Sequence, residues 1–242
     1  MENLADRLLA IMDRKDHWAW PAFLRPGLAR AELATHFRHE YHTYVRDFPI
    51  MLARVLGLGP PDDVRRTLAA NVYEEQTGGL SFGVSHPDLF LEMMEGLGLD
   101  RVALSSPEGL VPEAVAYRAM LDRVSSRPPW IVGAAVLGIF VEGSVNERAT
   151  LAGSRSEPPL EEAIALHPLV RHHGCPPAAM RLVRAHRMVE GGHRQDAWNA
   201  VLGHAPAARG AHDAIVAAMD EALALWLSYR DGVARAMGLV RQ

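Results

Sequence analysis

Apolar positions recur at three- and four-residue spacing along most of the chain, and alternating runs joined by hairpin turns are missing. The pattern predicts an all-α protein whose segments are divided by proline and glycine. Glu2 to Arg14 reads as a short amphipathic helix. Arg30 to Leu56 reads as a long one kinked at Pro49, since proline removes a backbone donor and clashes with the preceding turn. Pro60-Pro61 ends that unit, and Asp62 or Asp63 caps a helix running to Thr77. Beyond the Gly78-Gly79 loop, helices are expected from His86 to Leu97 and from Pro112 to Val124, followed by a break at Pro128-Pro129. Trp130 to Leu151 begins apolar on nearly every side and reads as a central buried helix. Pro158 to His173, Pro177 to Leu202 and Ala207 to Met237 complete a single-domain bundle of about eight helices over 1–242, with 1–29 as an N-terminal extension.

Of the 242 residues, 49% are hydrophobic and 22% charged, which places the chain among globular proteins and excludes a disordered one. A net charge of −4 argues against a nucleic-acid surface, which needs clustered basic excess. Cys175 is the sole cysteine, so intramolecular disulfides and Cys-rich metal sites are excluded and a reducing cytoplasm is the expected compartment. The first residues are charged throughout, unlike a signal peptide, and no uncharged run approaches the roughly 20 residues of a membrane span. The expected partner is a small molecule rather than nucleic acid or membrane. Twelve histidines are about twice the ordinary share, which turns attention to imidazole and carboxylate chemistry.

His186, Glu190 and His193 lie at i, i+4 and i+7, within about 60° of one another on one helix face. Such a group can hold a divalent metal. Mixed nitrogen and hard oxygen favour iron or manganese, with zinc also accommodated. The same residues would equally serve as a solvated polar face, and Gly191-Gly192 weakens the helix there. Glu142 directly follows an apolar stretch, where a carboxylate is costly to bury unless paired or metal-bound. Ala135 and Gly138, at i−7 and i−4, share its predicted face and would leave room for a cofactor or substrate. The alternative has the helix emerging into solvent at Glu142, near Asn146 and Glu147. Glu74 and Glu75 close one helix and His86 opens the next. Together Glu75, His86, Glu142, His186, Glu190 and His193 form an inventory of three Glu and three His, enough for two metal ions with open positions. A ferritin-type site is excluded, because it needs two Glu-x-x-His motifs and only Glu190-x-x-His193 is present.

This arrangement resembles the heme-oxygenase-like di-iron oxidases, relatives of the PqqC and TenA proteins. The resemblance runs over roughly residues 30–235, from EYHTYVRDFPIMLARVL through DDVRRTLAANVYEEQTGG and HPDLFLEMMEGLGLD to Glu142 and a terminal His-x-x-x-Glu-x-x-His. It implies a heme-oxygenase-like bundle and two Fe2+ per chain on those six residues, with O2 as co-substrate. The implied reaction is oxidation of a small amino-acid- or amine-derived metabolite or a fatty acid in biosynthesis, with outcomes such as N-oxygenation, desaturation, oxidative C–C cleavage or nitrile formation. Glu190 stands where relatives usually carry aspartate, and the segment 156–177, with His167, His172 and His173 as surface or lid residues, is longer than the usual connection. Some relatives use a further carboxylate on the first core helix, for which Asp47 is the nearest candidate. Arg46 and Arg184 are candidate partners for a substrate carboxylate, and Tyr44 and Phe48 candidate pocket walls.

Two other readings remain open at this level. One is a metal-free PqqC- or TenA-like enzyme, although Cys175 sits in a Gly-Cys-Pro-Pro loop unsuited to a TenA-type nucleophile. The other is a helical ligand-binding protein whose six side chains diverge in space. A homodimer is expected from the frequency of C2 pairs, and Ile215, Leu223, Leu225, Trp226 and Leu227 would serve either an interface or the monomer core.

Overall fold

The computed structural model describes residues 3–154, 158–205 and 210–241, and of residues 190, 191 and 193 the backbone alone. No strand occurs among the described residues. Among the described residues thirteen α-helical segments replace the expected eight or so: α1 (Leu4–Met12), α2 (Arg30–Glu40), α3 (Phe48–Gly57), α4 (Asp62–Thr77), α5 (His86–Gly96), α6 (Arg101–Leu104), α7 (Pro112–Ser126), α8 (Trp130–Ala134), α9 (Glu147–Leu151), α10 (Leu160–Leu166), α11 (Pro168–His173), α12 (Arg181–His204) and α13 (Ala211–Ala236). The extra count arises mostly from subdivision. The long helix expected from Arg30 becomes α2, a π-helical turn at Tyr41–Val45, and α3. The one expected from Trp130 becomes α8, a second π-helical segment at Ala135–Val141, and α9. Each π turn carries bonds five residues back, such as Arg46 N to Tyr41 O at 2.9 Å and Glu142 N to Leu137 O at 3.2 Å. One added residue rotates everything downstream by about 100° relative to an α-helical count, and such bulges concentrate at functional sites.

α13 is the spine of the bundle, packed against α7, α1, α2, α8 and the second π segment. Its Ile215, Leu223 and Trp226 are buried within the monomer, so this apolar stripe closes the chain's own core. α1 is equally integral: Leu4, Leu8, Ile11 and Met12 are buried, and the helix packs on α13 and α9. α12 runs unbroken through Gly191-Gly192 and lies against α5, α4, α8 and the second π segment. Close approach there depends on Gly138, where an added Cβ would meet Ala197 Cβ at 2.6 Å. The small side chain expected to open space beside Glu142 is instead consumed by helix packing. Glu147, which the alternative reading of this segment set near solvent, is buried, accepting from Trp198 Nε1 at 3.0 Å and pairing with Arg194 at 2.7 Å. No described helix is long and apolar enough to cross a membrane.

Candidate metal centre

The turn between α4 and α5 places the first donors. Gly78 caps α4 in the left-handed region at φ 61°, and a Cβ there would strike the Val84 carbonyl oxygen at 2.2 Å, so only glycine closes this loop. α5 then starts at His86, with the Ser85 side chain accepting from Asp88 N and Pro87 in the first turn. The result sets the His86 ring between two consecutive carboxylates. Nε2 lies 3.1 Å from Glu74 Oε1, and Nδ1 lies 2.9 Å from Glu75 Oε1.

The two glutamates differ in what else they do. Glu74 is fully buried, and its carboxylate accepts from Leu80 N at 2.6 Å and from Ser81 Oγ. Burial would raise its carboxyl, but these donors and His86 outweigh that and hold it below the usual range. Glu75 turns into a cavity instead. His86 Nδ1 is buried and close to Glu75, yet not aligned with it as donor to acceptor. Burial disfavours the charged imidazole, but the carboxylates of Glu75 and Glu74 outweigh it and raise His86 above its usual value. A metal entering beside Nδ1 would displace that proton, leaving Nε2–H donating to Glu74 in the carboxylate–histidine arrangement that orients metal ligands.

His186, from α12, brings its ring centroid to 5.1 Å from that of His86. One donor atom from each of Glu75, His86 and His186 lies within 4.8 Å of the others. These three and Glu142 line a cavity of about 170 Å³ together with Tyr44, Val45, Phe48, Val141 and Leu182. Asn71, one turn before Glu75 on α4, donates to Glu142 Oε1 at 3.2 Å. Four of the six predicted ligands therefore face one space, from four separate parts of the chain. The side chains of Glu190 and His193 lie outside the described residues.

The remaining candidates divide. Tyr44 and Phe48 line the cavity. Asp47 does not reach it: its carboxylate pairs with Arg118 at 2.7 Å and with Arg46 at 2.6 Å, which together outweigh burial and hold it low. Arg46 is thereby occupied, also lying 3.1 Å from His42 Nδ1. Arg184 pairs with the exposed Glu161 at 2.9 Å and faces neither cavity described here. Both arginines obey surface electrostatics rather than substrate recognition. Cys175 is buried against Met93 O and Met180 Sδ, its thiol pushed up by burial, and it lines neither cavity.

A larger cavity of about 920 Å³ adjoins the first, sharing Tyr44, Val141, Glu142 and His186. Both π-helical segments end at this shared wall, one supplying Tyr44 and the other Val141, with Glu142 next in sequence. The Tyr44 hydroxyl donates to Glu40, which also receives Tyr229 at 3.1 Å and the buried Arg230 guanidinium. Sequence reasoning missed Asn71 and Glu74 as supporting groups, although both stand within the NVYEE motif, one turn from or adjacent to Glu75.

Iron fits this donor set. Mixed imidazole and carboxylate ligands suit ferrous ion, and the misaligned buried Nδ1 of His86 gains a partner when a cation lies between it and Glu75. The family described as iron-containing redox enzymes matches residues 34–227. The chain belongs to that family. Within this iron-containing redox enzyme, the fold is also that of solved heme-oxygenase-like proteins. A domain of unknown function from Shewanella denitrificans OS217 superposes with a TM-score of 0.66 at 18% identity, covering 97% of this chain and 90% of that one. A TenA homolog from Pseudomonas syringae pv. tomato DC3000 gives 0.67 at 15% identity, covering 96% and 91%. No curated protein matches the chain in sequence.

Proposed function

We propose that this enzyme is an O2-dependent non-heme iron oxidase with two ferrous ions, acting on a small amino-acid- or amine-derived metabolite in a biosynthetic route. The observation that carries the reading is the convergence of Glu75, His86 and His186 donor atoms within 4.8 Å in a chain of the iron-containing redox family. Glu142 lines the same cavity, and by sequence spacing Glu190 and His193, one and two turns after His186, would supply the further donors for a second ion. Bound ferrous iron supplies the electrons that reduce O2.

The protein's own groups do the rest. Glu74 holds His86 in one orientation, and Asn71 holds one oxygen of Glu142. Phe48, Val141 and Leu182 give the smaller cavity apolar walls that limit water around the site. A substrate in the larger cavity would lie against Glu142 and His186, in the wall that the two cavities share with Tyr44 and Val141. Anaerobic addition of ferrous iron to metal-free protein should give about two bound ions per chain, followed on mixing with O2 by a transient visible band. His186→Ala and Glu142→Ala should abolish the band. Absence of specific iron binding, with both substitutions silent, would overturn the proposal.

A further inference from the structure

The walls of the larger cavity are cationic. Lys15, Arg187, Arg194 and Arg230 reach it, against Asp16 and Glu142. The arginines have other commitments: Arg230 to Glu40, Arg194 to Glu147 at 2.7 Å, and Arg187 to the Pro158 carbonyl at 2.6 Å. Among the described residues Lys15 has no counter-ion. It is the only lysine in the chain, the other 24 of the 25 basic residues being arginine (25 − 1). No described carboxylate lies within 4.0 Å of its ammonium, which donates to the carbonyls of Phe140 at 2.5 Å and Gly143 at 2.6 Å. The same nitrogen lies 4.7 Å from the Phe140 ring centre and 5.7 Å from that of Trp226. Carbonyl dipoles and ring faces stabilise a cation without neutralising it. An ammonium has three donors; two are taken by these carbonyls, and the third has only the long contact to Val141 O at 3.4 Å, which a ligand in the cavity would replace.

Lys15, Asp16 and Trp20 belong to the stretch that sequence pattern assigns to an N-terminal extension, and like Arg230 on α13 they lie outside the 34–227 family match. Trp20, Trp226 and Tyr117 supply aromatic surface at this end, while Glu142 and His186 mark the other chemistry the cavity reaches. We propose that the cavity binds an organic carboxylate, its anionic group paired with Lys15 and its body lying against Trp20, Trp226 and Tyr117 in reach of Glu142 and His186. A single free ammonium among arginines already engaged suits one carboxylate better than a phosphate ester, whose recognition draws on arginine forks or several converging donors. This names the substrate class of the reaction proposed above, and only the fate of the bound molecule rests on that reading. Electrostatics around the amine agree with a missing anion. Burial and then Arg230 lower Lys15 to about 7, with Arg194 adding to this and the more distant Glu147 and Glu40 opposing it.

The test uses full-length metal-free protein, with calorimetry or the fluorescence of Trp20 and Trp226 as readout. Phenylacetate and octanoate, their primary amides, and phenyl phosphate are the probes. Carboxylates should bind at least about tenfold more tightly than the matching amides, and Lys15→Met should lose that preference while still binding iron like the wild type. The single lysine gives a second readout without mutation: saturating phenylacetate should slow acylation of Lys15, assigned by peptide mass, and the amide should not. Equal binding of acids and amides, no binding of any acid, an undiminished preference in Lys15→Met, or no protection by phenylacetate would each overturn the assignment. Tighter binding of phenyl phosphate than of every acid would overturn it in favour of a phosphate ester. Iron binding is scored separately, so carboxylate preference without iron would refute the redox reading and leave the anion site standing.

Discussion

Replacing Glu74 by glutamine preserves the volume of a fully buried side chain and removes the charge that orients His86. The glutamine carbonyl can still accept from Leu80 N, but its amide then turns N–H groups toward Ser81 and His86 Nε2, both now within hydrogen-bond reach of Glu74 Oε1. The ring is then driven toward the tautomer that places its proton on Nδ1, on the side where Glu75 and His186 converge. A charge-assisted hydrogen bond of this kind contributes about 1.5–3 kcal/mol. Loss of a group supporting a metal ligand costs about 10- to 100-fold in affinity, or about 1.4–2.8 kcal/mol. Anaerobic titration of ferrous iron against a competing chelator should therefore show Glu74→Gln weakened by that factor. Glu75→Gln, which removes a donor outright, should be weaker still. Thermal melting of both variants separates site effects from unfolding. A folded Glu74→Gln protein with wild-type iron affinity, or one weaker than Glu75→Gln, would refute the assignment of Glu74 as support and Glu75 as ligand.

Gly138→Ala should destabilise the fold by about 1–3 kcal/mol in urea denaturation, despite alanine's helix preference of about 1 kcal/mol, because the new Cβ falls 2.6 Å from Ala197 Cβ. A more stable variant would contradict the packing described. Arg230→Met leaves the buried Glu40 without its guanidinium and should cost about 3–5 kcal/mol, most of it recovered in the Glu40→Leu/Arg230→Met double variant. Additive losses in that cycle would deny the pair. Lys15 contributes a pH dependence of defined sign: between its folded value of about 7 and the unfolded 10.5, the unfolded chain holds a proton that the folded one lacks. Raising pH through that window should therefore stabilise the wild type relative to Lys15→Met, read as urea midpoints at pH 6.5 and pH 9; parallel midpoints would exclude the effect.

Local sequence determined the helical class, the order of segments and the types of donor available. Apolar spacing, Pro60-Pro61 and the His86-Pro87 start act over a few residues, so the limits of α4 and α5 could be read nearly to the residue. Helix periodicity also placed His186 on a face that turned out to meet His86. It failed where hydrogen bonding changed register: the π segments at Tyr41–Val45 and Ala135–Val141 turned Gly138 into Ala197 and ended at the wall carrying Glu142. Charge partners were equally hidden. Arg46, Asp47 and Arg184 carry the right chemistry for a site, yet Arg118 and Glu161, 71 and 23 residues away, claim them elsewhere (118 − 47; 184 − 161). Glu147 was buried by Trp198 and Arg194, and Lys15 was carried from a seemingly peripheral helix to the cavity by the packing of α1 on α13. Which neighbour a side chain meets across the bundle depends on helix rotation and close approach summed over the whole core, and no local pattern encodes that sum.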